Sequence, residues 1–330
     1  MKQPTAMLFV VSLISAPLAA AAQTPAAAAN EPDIAYAAYQ RGYYVSAFRE
    51  ATRRVEQTSD PKSMTLLAEL YADGLGVAND DKKAAEWYKL AAARGDREAM
   101  FALSMFKMQG RGGSTDRNEA VRLMTEAADR GHVIAAYDLA LLYLEGQTVT
   151  QDFKRAAELL RRAADAGNPQ AQYALATLYK EGHGVPKNLE EAARLLGLAA
   201  RADYTDAEVE YGIALFNGTG VPKNESAAAA LLLKAARKGN APAQSRVAFM
   251  YATGRGIKAD PVEAVRWHLI ALAGGVNDQF LEDFMRNMKP LDRSMAENKA
   301  KPWIARMTPL GPTPFPSADP KSARFQPVKP

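Results

Sequence analysis

The residues able to do acid–base, nucleophilic or metal chemistry are few and scattered. His132, His183 and His268 are the three histidines of a 330-residue chain that has no cysteine. Without cysteine there is no disulfide, zinc–thiolate site, thiol nucleophile or lipidated N-terminal cysteine. His132 follows Gly131 at a helix junction, where a polar side chain can cap the turn. His183 stands between Gly182 and Gly184 on a loop tip. His268 follows Trp267 in the core-facing stretch of a helix and reads as a packed, hydrogen-bonded ring. No His-Glu-x-x-His, Gly-x-Ser-x-Gly or phosphate-loop pattern occurs. Glu86, Glu119, Glu158 and Glu190 are mixed with Lys and Arg and read as solvated helix faces. The expectation is no catalytic residue, no cofactor and no metal.

The elements that hold these residues follow a strict period. At a spacing of 36, Gly74, Gly110, Gly146, Gly182, Gly218 and Gly254 share one column. Ala84, Ala120, Ala156, Ala192, Ala228 and Ala264 share another, and Asp80, Asp116, Asp152, Asn188, Asn224 and Asp260 a third. Ala99, Ala135, Ala171, Ala207 and Ala243 form a fourth. Such self-similarity is the mark of a repeat array. Framed on these columns, the units are 64–99, 100–135, 136–171, 172–207, 208–243 and 244–279.

Each column has a physical reason. Met64 to Tyr71 carries apolar residues at helical spacing. Gly74 ends that helix in the left-handed conformation, which glycine adopts without a side-chain clash. The Asp/Asn column caps a second helix. Asp116 with Glu119, Asn188 with Glu191 and Asp260 with Glu263 have the capping-box spacing. A second glycine stop follows near Gly95, Gly131, Gly167, Gly239 and Gly275. The alanines let neighbouring helices approach closely. The unit is helix–loop–helix, of ~12 and ~14 residues. Its core is expected at Leu67, Ala68, Tyr71, Ala84, Trp87 and Ala91. The fold class is all-α, a superhelical solenoid.

The run from Tyr71 through Gly74, Gly76 and Val77 to Ala84, Trp87, Ala91, Ala92, Gly95 and Ala99 resembles the Sel-one-like repeat, a branch of the tetratricopeptide-like solenoids. Tyr179 to Asn188 and Tyr251 to Ile257 match the same motif. The resemblance covers roughly 34–280 and implies a right-handed superhelix whose surfaces bind other proteins. It departs at Lys107, Thr148, Asp203 and Leu215, where the motif has tyrosine, glycine, glycine and tyrosine. Some exported relatives are β-lactamase-like or act on peptidoglycan, but that branch is stapled by disulfides this chain cannot form. Another relative in plan is the periplasmic exopolysaccharide regulator that acts on a sensor kinase.

The ends read differently. Residues 34–63 form a degenerate, tetratricopeptide-like first unit that caps the array. Residues 280–307 give C-terminal capping helices, carrying Met295, Ala296, Trp303 and Ile304, because an end repeat would otherwise expose its packing face. Residues 308–330 are a proline-rich tail. At the other end, Lys2, an apolar run from Met7 to Ile14, and Ala20-Ala21-Ala22 make a secretory signal, residues 1–22, cleaved after Ala22. Residues 23–33 are a flexible leader. The expected location is the periplasm. Cleavage removes one lysine from a formal charge of +4, so the net surplus argues for neither nucleic acid nor membrane.

One stripe remains beyond the expected core. Thr65, Phe101, Tyr137, Tyr173, Val209 and Ser245 share a column, Glu69, Met105, Leu141, Thr177, Ile213 and Phe249 a second, and Ala72, Met108, Leu144, Lys180, Phe216 and Ala252 a third, apolar in units two, three and five. Steps of four and then three residues align the three columns on one side of the first helix. In solenoids of this kind the first helix lines the concave side. The stripe is either core, packed between repeats, or a groove for a peptide of another protein. The function expected is an exported protein–protein scaffold or adaptor.

Overall fold

The computed structural model describes residues 33–307, and within them every regular element is helical. The segments read as signal, as leader up to residue 32 and as tail lie outside the described residues. The helices follow in pairs: α1 (Ile34–Gln40) with α2 (Tyr44–Thr58), α3 (Pro61–Asp73) with α4 (Asp81–Ala93), and α5 (Arg97–Gln109) with α6 (Arg117–Asp129). Then come α7 (Val133–Glu145) with α8 (Phe153–Asp165), and α9 (Pro169–Glu181) with α10 (Leu189–Arg201). Next are α11 (Thr205–Asn217) with α12 (Glu225–Arg237), and α13 (Ala241–Thr253) with α14 (Pro261–Ala273). The chain closes with α15 (Gln279–Arg286) and α16 (Pro290–Met307). From α1 to α15 each helix packs against the next in sequence, as a quasi-one-dimensional array must, and α16 returns onto α14.

Both helices of a unit are 13 residues long. The first starts at Pro61 rather than Met64 because Asp60 caps it, accepting the Ser63 N–H at 2.9 Å. Asp96, His132, Asn168 and Asn240 cap the later first helices the same way, while Tyr204 makes no side-chain cap. On the second helices Asp80, Asp116, Asp152, Asn188, Asn224 and Asp260 all cap through their side chains, as their column requires. One backbone bond closes every loop: Asp80 N–H donates to Tyr71 O at 3.0 Å, and the equivalent bond recurs in each unit. It survives at Lys107 and Leu215, where the motif tyrosine is missing. Asp203, in place of glycine, takes a left-handed φ of 62°.

The alanine columns are buried throughout. Leu67, Ala68, Ala84 and Ala91 are core, while Tyr71 and Trp87 are half-buried and pack against it, and Tyr88 is a buried residue the pattern did not single out. The second loop glycine does more than turn the chain. Gly184 has φ +69°, and a Cβ there would lie 2.2 Å from Phe153 O at the start of α8, in the preceding unit. Gly220 meets Leu189 O in the same way, at 2.0 Å. Each loop thus rests its bare Cα on the N-terminus of the second helix before it. In the third unit Thr148 replaces this glycine. A cleft of about 380 Å³ lies between α6 and α8, lined by Thr125, Asp129, Arg155, Glu158 and Arg162. At the C-terminal end α16 packs on α14, with Trp303 edge-on to Trp267 at 5.6 Å.

Candidate partner-binding face

A helix turns 100° per residue, so positions 65, 69 and 72 of α3 lie within one narrow stripe, with positions 62, 66 and 73 beside it. The same holds for every first helix. Phe101, Met105, Met108, Tyr137, Leu141, Leu144, Tyr173, Ile213, Phe216 and Phe249 are all half-buried, and Val209 is buried. The stripe is therefore neither sealed core nor free surface. Its lower edges pack on the repeat core and its upper edges meet solvent. Beside it the outermost positions are open: Ile134 is 52% exposed, and Asp73, Glu98, Glu145 and Glu181 are exposed.

Rings step along the face. Phe101 stacks on His132 at 4.5 Å, Tyr173 meets Tyr204 at 5.3 Å, and Phe249 sits between Phe216 and Phe280 at 6.4 and 5.5 Å. Burial pushes the Tyr137 phenol up to about 12 and raises that of Tyr173. Two carboxylates share this environment. Burial, and then Asp73, Asp96 and Glu98, push the Glu69 carboxyl up to about 7. Burial alone pushes Asp138 up to about 6. Among the described residues no cation is bonded to either.

Several other acids are matched by cations. Arg111 grips Asp81 through two nitrogens, at 2.6 and 3.1 Å, and lies 4.2 Å over the Phe106 ring. Arg255 does the same with Glu225 and Phe216. Glu208 is fully buried and held by Lys238 at 2.9 Å and Lys234 at 2.8 Å. Lys180 pairs with Glu210.

The histidines hold structure. Nδ1 of His132 accepts the Ala135 N–H at 3.0 Å, so Nε2 carries the proton and donates to Glu98 at 2.8 Å. His183 is exposed and lies 3.0 Å from Glu181. His268 is fully buried, with Nε2 3.2 Å from Glu282. Among the described residues no three His, Cys, Asp or Glu side chains are placed to hold a metal ion. What the face offers is shape, apolar surface and two half-buried carboxyl groups without a cationic partner among the described residues.

The family model of the Sel1 repeat matches residues 61–96, 97–132, 133–168, 169–204, 205–240 and 241–276. The chain is a Sel1 repeat protein. The matched frame begins three residues before the column-based one and follows the helix starts. A Sel1 repeat protein from Oxalobacter formigenes is 26% identical, with a TM-score of 0.59 over 73% of this chain and 97% of that one. A protective antigen of uropathogenic Escherichia coli with the SLR fold is 25% identical, with a TM-score of 0.55 over 84% of this chain and 69% of that one. No curated protein matches. A Sel1 helical solenoid fits a protein-interaction scaffold. No helix among the described residues is long and apolar enough to cross a membrane.

Sequence reasoning placed Glu69 and Lys180 on the stripe but did not single out Asp138 beside it. Asp138 shares its column with Leu66, Ala102, Ala174, Glu210 and Arg246, and Glu208 shares its own with Met64, Met100, Ala136, Gln172 and Gln244, so neither column is uniformly apolar and an acid in it gave little signal.

Proposed function

We propose that this Sel1 repeat protein is an exported, non-catalytic adaptor that holds a segment of another envelope protein against its first-helix face, the concave side of the solenoid. The observation that carries this is the largely half-buried apolar stripe of α5, α7 and α11, which the repeats do not close over. A stripe of this kind, rimmed by exposed polar positions, is what a partner surface looks like. Lys2, the Met7–Ile14 run and the alanines before Gln23 support export.

The test is position-resolved crosslinking in intact cells, with a photoreactive side chain at Met105 or Leu141 and, as control, at the exposed Glu86 of a second helix. The first-helix positions capture one defined protein and Glu86 does not. Changing Phe101, Leu141 and Phe216 to serine together removes that capture. These side chains are only half-buried, so stability falls by about 1 kcal/mol for each. Unchanged capture by the triple variant overturns the proposal. N-terminal sequencing of the cell-derived protein checks export, with Gln23 expected first.

A further inference from the structure

Three features outside the repeat core stand out. The cleft between α6 and α8 mixes Lys154, Arg155 and Arg162 with Asp129, Asp152 and Glu158, and so favours neither sign of charge. Buried His268 leaves Nδ1 without a partner, but its ring is enclosed in the packing of α14 and offers no path to a ligand. The third feature, the pair of unmatched carboxylates on the first-helix face, carries further.

Glu69 lies on α3 and Asp138 on α7, two first helices along, with α5 between them. Both are half-buried, and neither has a cationic partner among the described residues. Several other half-buried acids have a cation within reach, Arg111 for Asp81, Lys180 for Glu210 and Arg255 for Glu225, while Asp96 and Asp260 are bonded to backbone N–H groups as helix caps. A desolvated carboxylate without a partner is costly to keep. Between the two acids the face is apolar: Phe101 and Met105 of α5, then Tyr137, with Ile134 exposed at its edge. Negative, apolar, negative is the order along the face.

Given that the first-helix face is the binding face, we propose that its occupant is a cationic extended peptide with two basic side chains about six residues apart and an apolar side chain between them. One basic group seats at Glu69, the apolar side chain over Phe101 and Met105, and the other basic group at Asp138. The spacing follows from geometry. Adjacent first helices meet side chain to side chain, as Phe216 of α11 meets Phe249 of α13 at 6.4 Å, so one step is about 10 Å and two steps span roughly 20 Å. An extended chain rises about 3.3 Å per residue, so about six residues cover that distance. Charge complementarity selects the partner: the chain carries a formal surplus of +4, yet this stretch of the face is acidic, so a like-charged basic segment is drawn here and not to the rest of the surface.

The experiment measures fluorescence anisotropy of labelled peptides against the full chain. One peptide has two lysines about six positions apart with a leucine midway. A second replaces both lysines with glutamine, and a third places the lysines side by side. The spaced-lysine peptide binds about tenfold or more tighter than either of the others. Glu69→Gln and Asp138→Asn each weaken it several-fold and leave the glutamine peptide unchanged. Both are isosteric, and melting curves recorded alongside confirm that they fold. Equal binding of the lysine and glutamine peptides, both abolished by Phe101→Ser, overturns the charge assignment and leaves the binding face standing. Lysine-peptide binding that ignores Glu69→Gln, Asp138→Asn and Phe101→Ser places the site elsewhere and overturns both readings. Absence of binding by all three peptides overturns this inference alone, because crosslinking in cells tests the face without them.

Discussion

Asp138→Asn should make the protein more stable while making it a poorer binder. The carboxyl of Asp138 rises from an ordinary 3.8 to about 6 because burial penalises its charged form and no cation offsets that penalty. Undiminished, such a rise is worth ~3 kcal/mol. The side chain is half-buried, and the water that still reaches it reduces the figure to about 1–2 kcal/mol. The pH dependence has a definite sign. Below the unfolded value of 3.8 the group is protonated in both states, and wild type and variant match apart from the amide itself. As pH rises from about 4 to about 6 the unfolded chain ionises first, and the wild type loses stability. Above about 6 the loss is complete and constant. Asparagine has the same shape without the charge, so the variant does not lose stability over that window. The assay is thermal or urea unfolding at pH 4, 5, 6 and 7.5, followed by circular dichroism. At pH 7.5 the variant should melt a few degrees higher, with the difference vanishing near pH 4. A variant no more stable than wild type at pH 7.5, or a difference independent of pH, would refute the picture of an unmatched carboxylate on this face.

Two further outcomes follow from the packing. Gly184→Ala drives a Cβ to 2.2 Å from Phe153 O, so it should lower the unfolding free energy by several kcal/mol, whereas Gly167→Ala, with open space around its Cβ, should cost only the left-handed strain of ~1–2 kcal/mol. Denaturant titration of the two variants side by side checks the contrast, and equal losses would mean that the loop does not press on α8. Glu208→Gln should be nearly neutral, within ~1 kcal/mol, because Gln172 and Gln244 in the same column donate to Ala164 O and Ala236 O at 3.1 Å and show that an amide fits there. Glu208→Ala offers neither bond and should cost about 2 kcal/mol in the same titration.

Local chemistry decided how much could be read from the sequence. The Asp/Asn column and the first glycine column act within their own unit, through a cap and a left-handed turn, so their roles were legible from position alone. The cap column of the first helices was harder to see because Asp60, Asp96, His132, Asn168, Tyr204 and Asn240 vary in type, and the unit frame fell three residues late in consequence. Contacts across unit boundaries were not legible. Nothing in Gly-x-Gly spacing says that its second glycine touches a carbonyl about 30 residues upstream. The same is true of Arg111 and Arg255, which reach back to Asp81 and Glu225. The stripe of Phe101, Leu141 and Phe216 was visible as periodicity, yet its half-buried state depends on how one unit rotates over the next, and that rotation is a property of the joint. Glu69 and Asp138 became conspicuous only when the structure showed which acids have partners.

The joint itself has an evolutionary consequence. At Gly184 and Gly220 the contact between units is made by a bare Cα against a main-chain carbonyl, so it asks almost nothing of the side chains on the other side. A unit of this kind carries its own connector. Copying or deleting one whole 36-residue segment rebuilds an equivalent seam at the new junction, whichever neighbour it meets. The array can thus change length by gene duplication in steps that preserve folding, and each step lengthens or shortens the first-helix face by one helix. The unit with Thr148 is the exception: it lacks the universal connector, so it is tied to the neighbour it has and marks the place where such shuffling would stop.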